Sequence, residues 1–205
     1  MKEKDAEETT KRPYRMRARA ESAAETGRRI LEATIELGPE LLSDRATLDD
    51  VAARAGVTVQ TVLRRFGSKE GLISAAAEEV EGRVWGQRGE APVGDITGAV
   101  RNLVEHYEEW GENTLRLLAQ EERYPVIRAH TDRGRAGHYE WVGRTFAPFL
   151  EERAGEKRER LRAEMIAVCD LYIWKILRRD LGFSSAQTEI ALVEMLSALV
   201  ERGES

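Results

Sequence analysis

The sequence predicts an all-α protein. Proline is sparse, at 5 of 205 residues. Long segments carry apolar residues at helical spacing. Hydrophobic residues make up 41% of the chain, enough for a packed core. The formal net charge is −5, which argues against a nonspecific nucleic-acid coat but leaves room for a local basic surface. The single cysteine, Cys169, allows no intrachain disulfide and fits a reducing compartment. The charged N-terminus lacks the apolar core of a signal peptide. The longest nearly apolar run, Ile190 to Val200, is broken by Glu194 and is too short to span a bilayer. A cytoplasmic protein with no membrane partner is expected.

Residues 1–20 are polar and charged, and predict a disordered arm that is basic at Lys11, Arg12, Arg15, Arg17 and Arg19. Such an arm either reaches a DNA backbone or minor groove or is simply a solvated tail. A first helix is expected from about Ser22 to Leu37, with Ile30, Leu31, Thr34 and Leu37 inward. Gly38-Pro39 ends or kinks it.

The stretch from Thr47 to Leu72 is the most informative: TLDDVAARAGVTVQTVLRRFGSKEGL. Thr47 and Asp50 have the spacing of a capping box, and Leu48, Val51, Ala52 and Ala55 form an inner face. Gly56 stops that helix, Val57 plugs the turn, and Thr58 caps a second helix with Val62 and Phe66 inward. Val59, Gln60, Thr61, Leu63, Arg64 and Arg65 are left outward, a face that suits a DNA major groove. Gly67 breaks the chain, Ser68 caps a third helix, and Lys69 beside the free N–H groups makes a phosphate seat.

This stretch resembles the helix-turn-helix of the TetR family of bacterial transcriptional regulators. The resemblance rests on Ala55-Gly56-Val57, Thr61, Arg64, Phe66, Ser68, Lys69 and Leu72, in register over the first third of the chain. Gln60 and Leu63 depart from it, standing where the family commonly has a small residue and a phosphate-contacting aromatic. The expected DNA-contacting set is Thr47, Thr58, Val59, Gln60, Thr61, Leu63, Arg64, Arg65 and Lys69.

The helix opened by Ser68 is expected to reach Trp85, closing a DNA-binding domain over 21–85. Gly86 to Gly94, GQRGEAPVG, reads as a linker holding the domain boundary. A second helical domain is expected over 95–203. Its segments are a helix from Asp95 to about Gly111, another from Thr114 to Glu122, an irregular or kinked stretch from Tyr124-Pro125 through Gly134, and a helix from Gly137 to Glu152 in which Pro148 either bends the helix or sets a new first turn. A long helix from about Arg158 to Leu181 and a last one capped by Ser184 or Ser185 follow. The resemblance implies that these last two helices form a homodimer interface and that the domain binds a small-molecule effector. Tyr107, Trp110, Trp141, Phe146 and Tyr172 are the expected ligand-contacting residues; if they converge, few ionisable groups surround them, which favours an apolar or aromatic effector.

The chain shows no Gly-rich phosphate loop, GxSxG, HExxH or CxxC, so no catalytic residue is assigned. His106, His130 and His138 are spaced too widely for one helical metal face, and no metal or cofactor is expected. The reading is therefore a homodimeric, ligand-responsive repressor on a near-palindromic double-stranded DNA operator. Its rivals are a helical interaction protein with weakened DNA binding and a small helical enzyme.

Overall fold

The computed structural model describes residues 21–202, and its regular elements are all helical. The expected basic arm lies outside the described residues. The chain divides into two compact units, one ending at Val80 and the other beginning at Glu81.

In the first unit, α1 covers 21–36 and α2 covers Gly38–Leu42, with Pro39 in the first turn of α2. Proline fits there because its missing N–H has no helical partner to lose. Helix α3 (Leu48–Ala55) starts at the Thr47–Asp50 capping box and stops at Gly56, whose φ of 65° is left-handed. Helix α4 (Val59–Phe66) is capped by Thr58, which accepts from the Thr61 N–H. Ile30, Leu41, Val51, Val62 and Leu72 are fully buried together, so three short helices too weak to stand alone hold one another through this core. Arg54 on α3 donates to Glu36 on α1 at 2.6 Å.

Helix α5 (Lys69–Gly89) runs through the first four residues of the expected linker. The split between the two compact units falls inside this helix, at Val80/Glu81. Gly86 and Gly89 each weaken a helix by roughly 1 kcal/mol. Tertiary contacts offset this: Gln87 donates to the Asn102 carbonyl at 2.7 Å, Asn102 donates to the Gln87 carbonyl at 2.6 Å, and Arg88 is buried. Only Glu90 to Gly94 turn the chain.

The second unit packs α6 (Ile96–Leu118), α7 (Pro125–Thr145), α8 (Ala147–Glu151), α9 (Gly155–Val168), α10 (Leu171–Lys175) and α11 (Ser185–Glu201) around one core. Three segment boundaries differ from expectation. Gly111 does not break α6; it lets Trp174 approach so closely that an added Cβ would lie 2.7 Å from the indole. Pro125 opens α7, which runs unbroken through Gly134. The long helix expected over 158–181 is two helices and a π-helical turn. Asp170 restarts the chain by accepting from the Tyr172 N–H at 2.8 Å, and the Leu181 N–H reaches back to the Ile176 carbonyl at 2.9 Å across that wider turn. Pro148 sets the first turn of α8, and Ser184 opens α11 with a capping box to Gln187.

Candidate nucleic-acid interface and buried core of the second unit

The sequence of α4 leaves one face without a partner inside the first unit. Val62 is fully buried, and the residues one turn before and after it, Val59 and Phe66, pack partly against the same core. Val59 was expected outward. It shares the inner stripe because 59, 62 and 66 follow the three-then-four spacing of a helix face. Gln60, Leu63, Arg64 and Arg65 are exposed, as are the capping residues Thr47 and Thr58. Thr61 is half-buried, its hydroxyl 3.0 Å from that of Thr58.

Two cations expected to face DNA are engaged within the unit. Arg65 Nη1 donates to the Ala23 carbonyl at 2.8 Å, and its guanidinium lies over Gly27, where a Cβ would strike it. Lys69 Nζ pairs with Asp44 Oδ1 at 2.5 Å. Asp44 takes a left-handed φ of 56°, which presents its carboxylate in the turn after α2. Ser68 accepts from the Gly71 N–H at 3.1 Å, fixing the first turn of α5 beside Lys69. The result is a short helix with Gln60 and Arg64 open to solvent, flanked by a helix start that carries a lysine. That arrangement suits base-edge contact from α4 and phosphate contact from the start of α5.

In the second unit, Tyr107, Trp110, Trp141 and Phe146 are buried, whereas Tyr172 is 53% exposed and does not join them. Trp174 stands in its place, its ring 5.9 Å from that of Tyr107. Trp141 meets Phe146 edge to face at 5.8 Å. The polar atoms of two of these rings are already committed. The Tyr107 hydroxyl donates to the Cys169 carbonyl at 2.8 Å, and Trp141 Nε1 donates to the Arg88 carbonyl at 3.0 Å.

The surroundings are not poor in ionisable groups, contrary to expectation. Arg88 is 3% exposed; its guanidinium stacks on Trp141 at 3.9 Å, and Nη2 lies 3.3 Å from His138 Nδ1. His138 Nε2 faces the Ile166 carbonyl at 3.4 Å, so the consistent tautomer carries its proton on Nε2 and accepts from Arg88 on Nδ1. Burial and then the Arg88 charge lower the His138 pKa to about 4 and that of His106 to about 3. Burial pushes the Cys169 thiol up to about 12 and raises Tyr107 as well. His106 Nδ1, Asn102 Oδ1 and Gln87 Oε1 are buried without a hydrogen-bond partner. Sequence reasoning passed over Arg88, Asn102 and Trp174. Arg88 sits in a glycine-rich stretch that reads as a loop, and 50 residues separate it from His138.

No group of histidine, cysteine and acidic residues fit to hold a metal occurs among the described residues. No helix among them is long and apolar enough to cross a membrane.

Residues 30–76, from α1 into α5, match the family model of bacterial regulatory proteins, tetR family. No curated protein matches the chain by sequence. The fold is similar to that of a transcriptional regulator from Rhodococcus sp. Rha1, with 17% identity and a TM-score of 0.58 over 86% of this chain and 96% of that one. It is also similar to a protein from Rhodococcus sp. assigned as a TetR-family transcriptional regulator, with 18% identity and a TM-score of 0.57 over 86% of this chain and 99% of that one. At these identities the two structures speak for the fold, while the helix-turn-helix match and its open α4 face speak for the activity. This chain is a DNA-binding transcriptional regulator that carries the helix-turn-helix domain of the TetR family.

Proposed function

We propose that the chain is a repressor that binds a near-palindromic operator as a homodimer and is released by a small molecule. The observation that carries the DNA half of this reading is the open face of α4, with Gln60 and Arg64 exposed beside the Lys69 helix start. A two-fold pair of such faces reads two half-sites, and this is why the operator should be near-palindromic. The dimer half is supported by apolar side chains that the second unit leaves in solvent on its last elements: Tyr172, Ile176, Leu181 and Ile190, at 43% to 61% exposure. Leu196, an obvious interface candidate from the apolar stripe of α11, is fully buried in the core of its own unit. A charge placed there unfolds the protein and says nothing about dimerisation.

A mobility-shift titration on the DNA upstream of the chain's own gene tests the reading. A salt-dependent shift at nanomolar to micromolar protein, outcompeted by the same DNA and not by random DNA, supports it. The engagement of Arg65 and Lys69 inside the first unit favours one rival, a helical sensor with weakened DNA affinity. Absence of any sequence-selective shift at low salt establishes that rival instead.

A further inference from the structure

We propose that the effector site is built around the Arg88 guanidinium and takes a carboxylate-bearing ligand with an apolar body. The proposal rests on the ligand-responsive reading given above and specifies its chemistry.

Arg88 is a fully charged group in the core of the second unit. Other arginines of this unit meet carboxylates: Arg178 is bidentate on Glu108 at 2.6 and 2.8 Å, Arg135 reaches Glu121 at 2.8 Å, and Arg202 reaches Glu164 at 2.7 Å. Arg88 meets the Trp141 face, the His138 ring and the Tyr107 side chain. No carboxylate of the described residues bonds to it. A lysine in that position escapes by losing its proton; an arginine keeps its charge, and burial leaves it in need of an anion. The surrounding histidines answer by staying neutral, and this removes a like charge without supplying a counter-ion.

The second observation is a set of buried polar atoms with no partner. His106 Nδ1 and Asn102 Oδ1 lie one turn apart on one face of α6, and Gln87 Oε1 belongs to the residue that Asn102 clasps beside Arg88. Buried polar atoms are paired in the great majority of cases, so three together mark a place that something polar fills. Tyr107 lies against His106, their rings 5.3 Å apart, Trp141 lies against Arg88, and Phe146 meets Trp141 edge to face. A planar carboxylate matches the guanidinium fork bidentately. A hydroxyl or amide near the acid end suits the unfilled Asn102 and Gln87 oxygens, and a hydrocarbon or ring suits these aromatic rings. Arg88 lies near the end of α5, whose first turn carries Lys69, so an anion that draws on Arg88 pulls on the helix that seats the phosphate contact.

The test titrates the full chain with decanoate and 4-phenylbutyrate, and in parallel with decanamide and 4-phenylbutanamide. Tryptophan fluorescence and the thermal midpoint are the readouts. The acids are expected to bind at least tenfold more tightly than their amides. Arg88→Met should erase that preference and Arg88→Lys should keep it in weakened form. If the methionine variant does not fold, the comparison of acids with amides on the unaltered chain decides. Absence of acid-selective binding, or its survival in Arg88→Met, overturns the site. The same probes are added to the protein–DNA complex. Release by amides as readily as by acids keeps the ligand-responsive reading and removes the anion site. Acid-selective binding with no change in DNA affinity keeps the site and removes that reading.

Discussion

On the proposed function, Lys69 serves two states. In the free protein its ammonium pairs with Asp44, whose side chain is 85% exposed. An exposed pair of this kind is worth at most about 1 kcal/mol, so a phosphate can displace it. Lys69→Ala should then weaken binding about equally on all DNA sequences and flatten the salt dependence by roughly one unit of slope. Asp44→Asn keeps a residue that tolerates the left-handed backbone and should tighten binding by up to about fivefold, the equivalent of that pair. Fluorescence anisotropy at three salt concentrations checks both; a loss of affinity in Asp44→Asn sinks the competition between pair and phosphate. Gln60→Ala should behave differently, changing which bases are preferred by roughly 1–3 kcal/mol at one position, because a glutamine amide reads an adenine edge. Equal losses on operator and random DNA remove Gln60 from the reading set.

Helical elements were legible in the sequence where a cap and a period agreed. Thr47, Thr58 and Ser184 stand at the starts expected of them, and Gly56 at its stop. Boundaries failed where glycine or proline was taken at its local preference. Gly111 costs α6 some intrinsic stability, but the indole of Trp174 occupies the space a side chain would need. Gly111→Ala therefore sets a helix-propensity gain of up to about 1 kcal/mol against an overpacking cost of roughly 1–3 kcal/mol. Trp174 is fully buried, donates to Glu108 at 3.0 Å and stacks under Arg179, so it has little room to give. The net expectation is a lower thermal midpoint by circular dichroism; an unchanged or higher one means that Trp174 can move aside. The buried residues of the second unit were half legible for a related reason. Periodicity shows that Tyr107, Trp141 and Phe146 point inward, yet it cannot show that Arg88 points inward with them. A charged residue between glycines carries no apolar signal, and its partners lie on other helices.

For the whole molecule, pH is an informative variable. His106 and His138 titrate near 3 and 4 when folded, against about 6.5 in an unfolded chain. Between those values the unfolded chain binds protons that the folded one refuses, so stability falls as pH drops from about 6.5 toward 4 and is fully present above 6.5. Denaturant titrations across that range should show a slope of up to one proton per histidine. His138→Gln should reduce the slope by up to one proton, even though carboxylates also titrate at the acid end. A slope unchanged by both His138→Gln and His106→Gln means that neither ring stays neutral in the fold. Assembly is the other property at this scale. Ile190→Glu places a charge on an exposed position of α11 and spares the core, so it should shift sedimentation from dimer to monomer with the thermal midpoint of each unit retained. A full dimer after that change moves the interface away from α11.

The one thiol of the chain gives the core a clock. Cys169 is 1% exposed, and its proton is held up to about 12, so in the closed fold it offers a reagent neither access nor thiolate. Alkylation or disulfide exchange at this sulfur thus waits for α6, α9 and α10 to part, and its rate counts those openings. Since the Cys169 carbonyl also holds the Tyr107 hydroxyl, whatever settles against Tyr107 and Arg88 should lengthen the interval between openings. Binding of the proposed effector in this core is then readable from labelling kinetics alone, without DNA and without knowing the effector's identity.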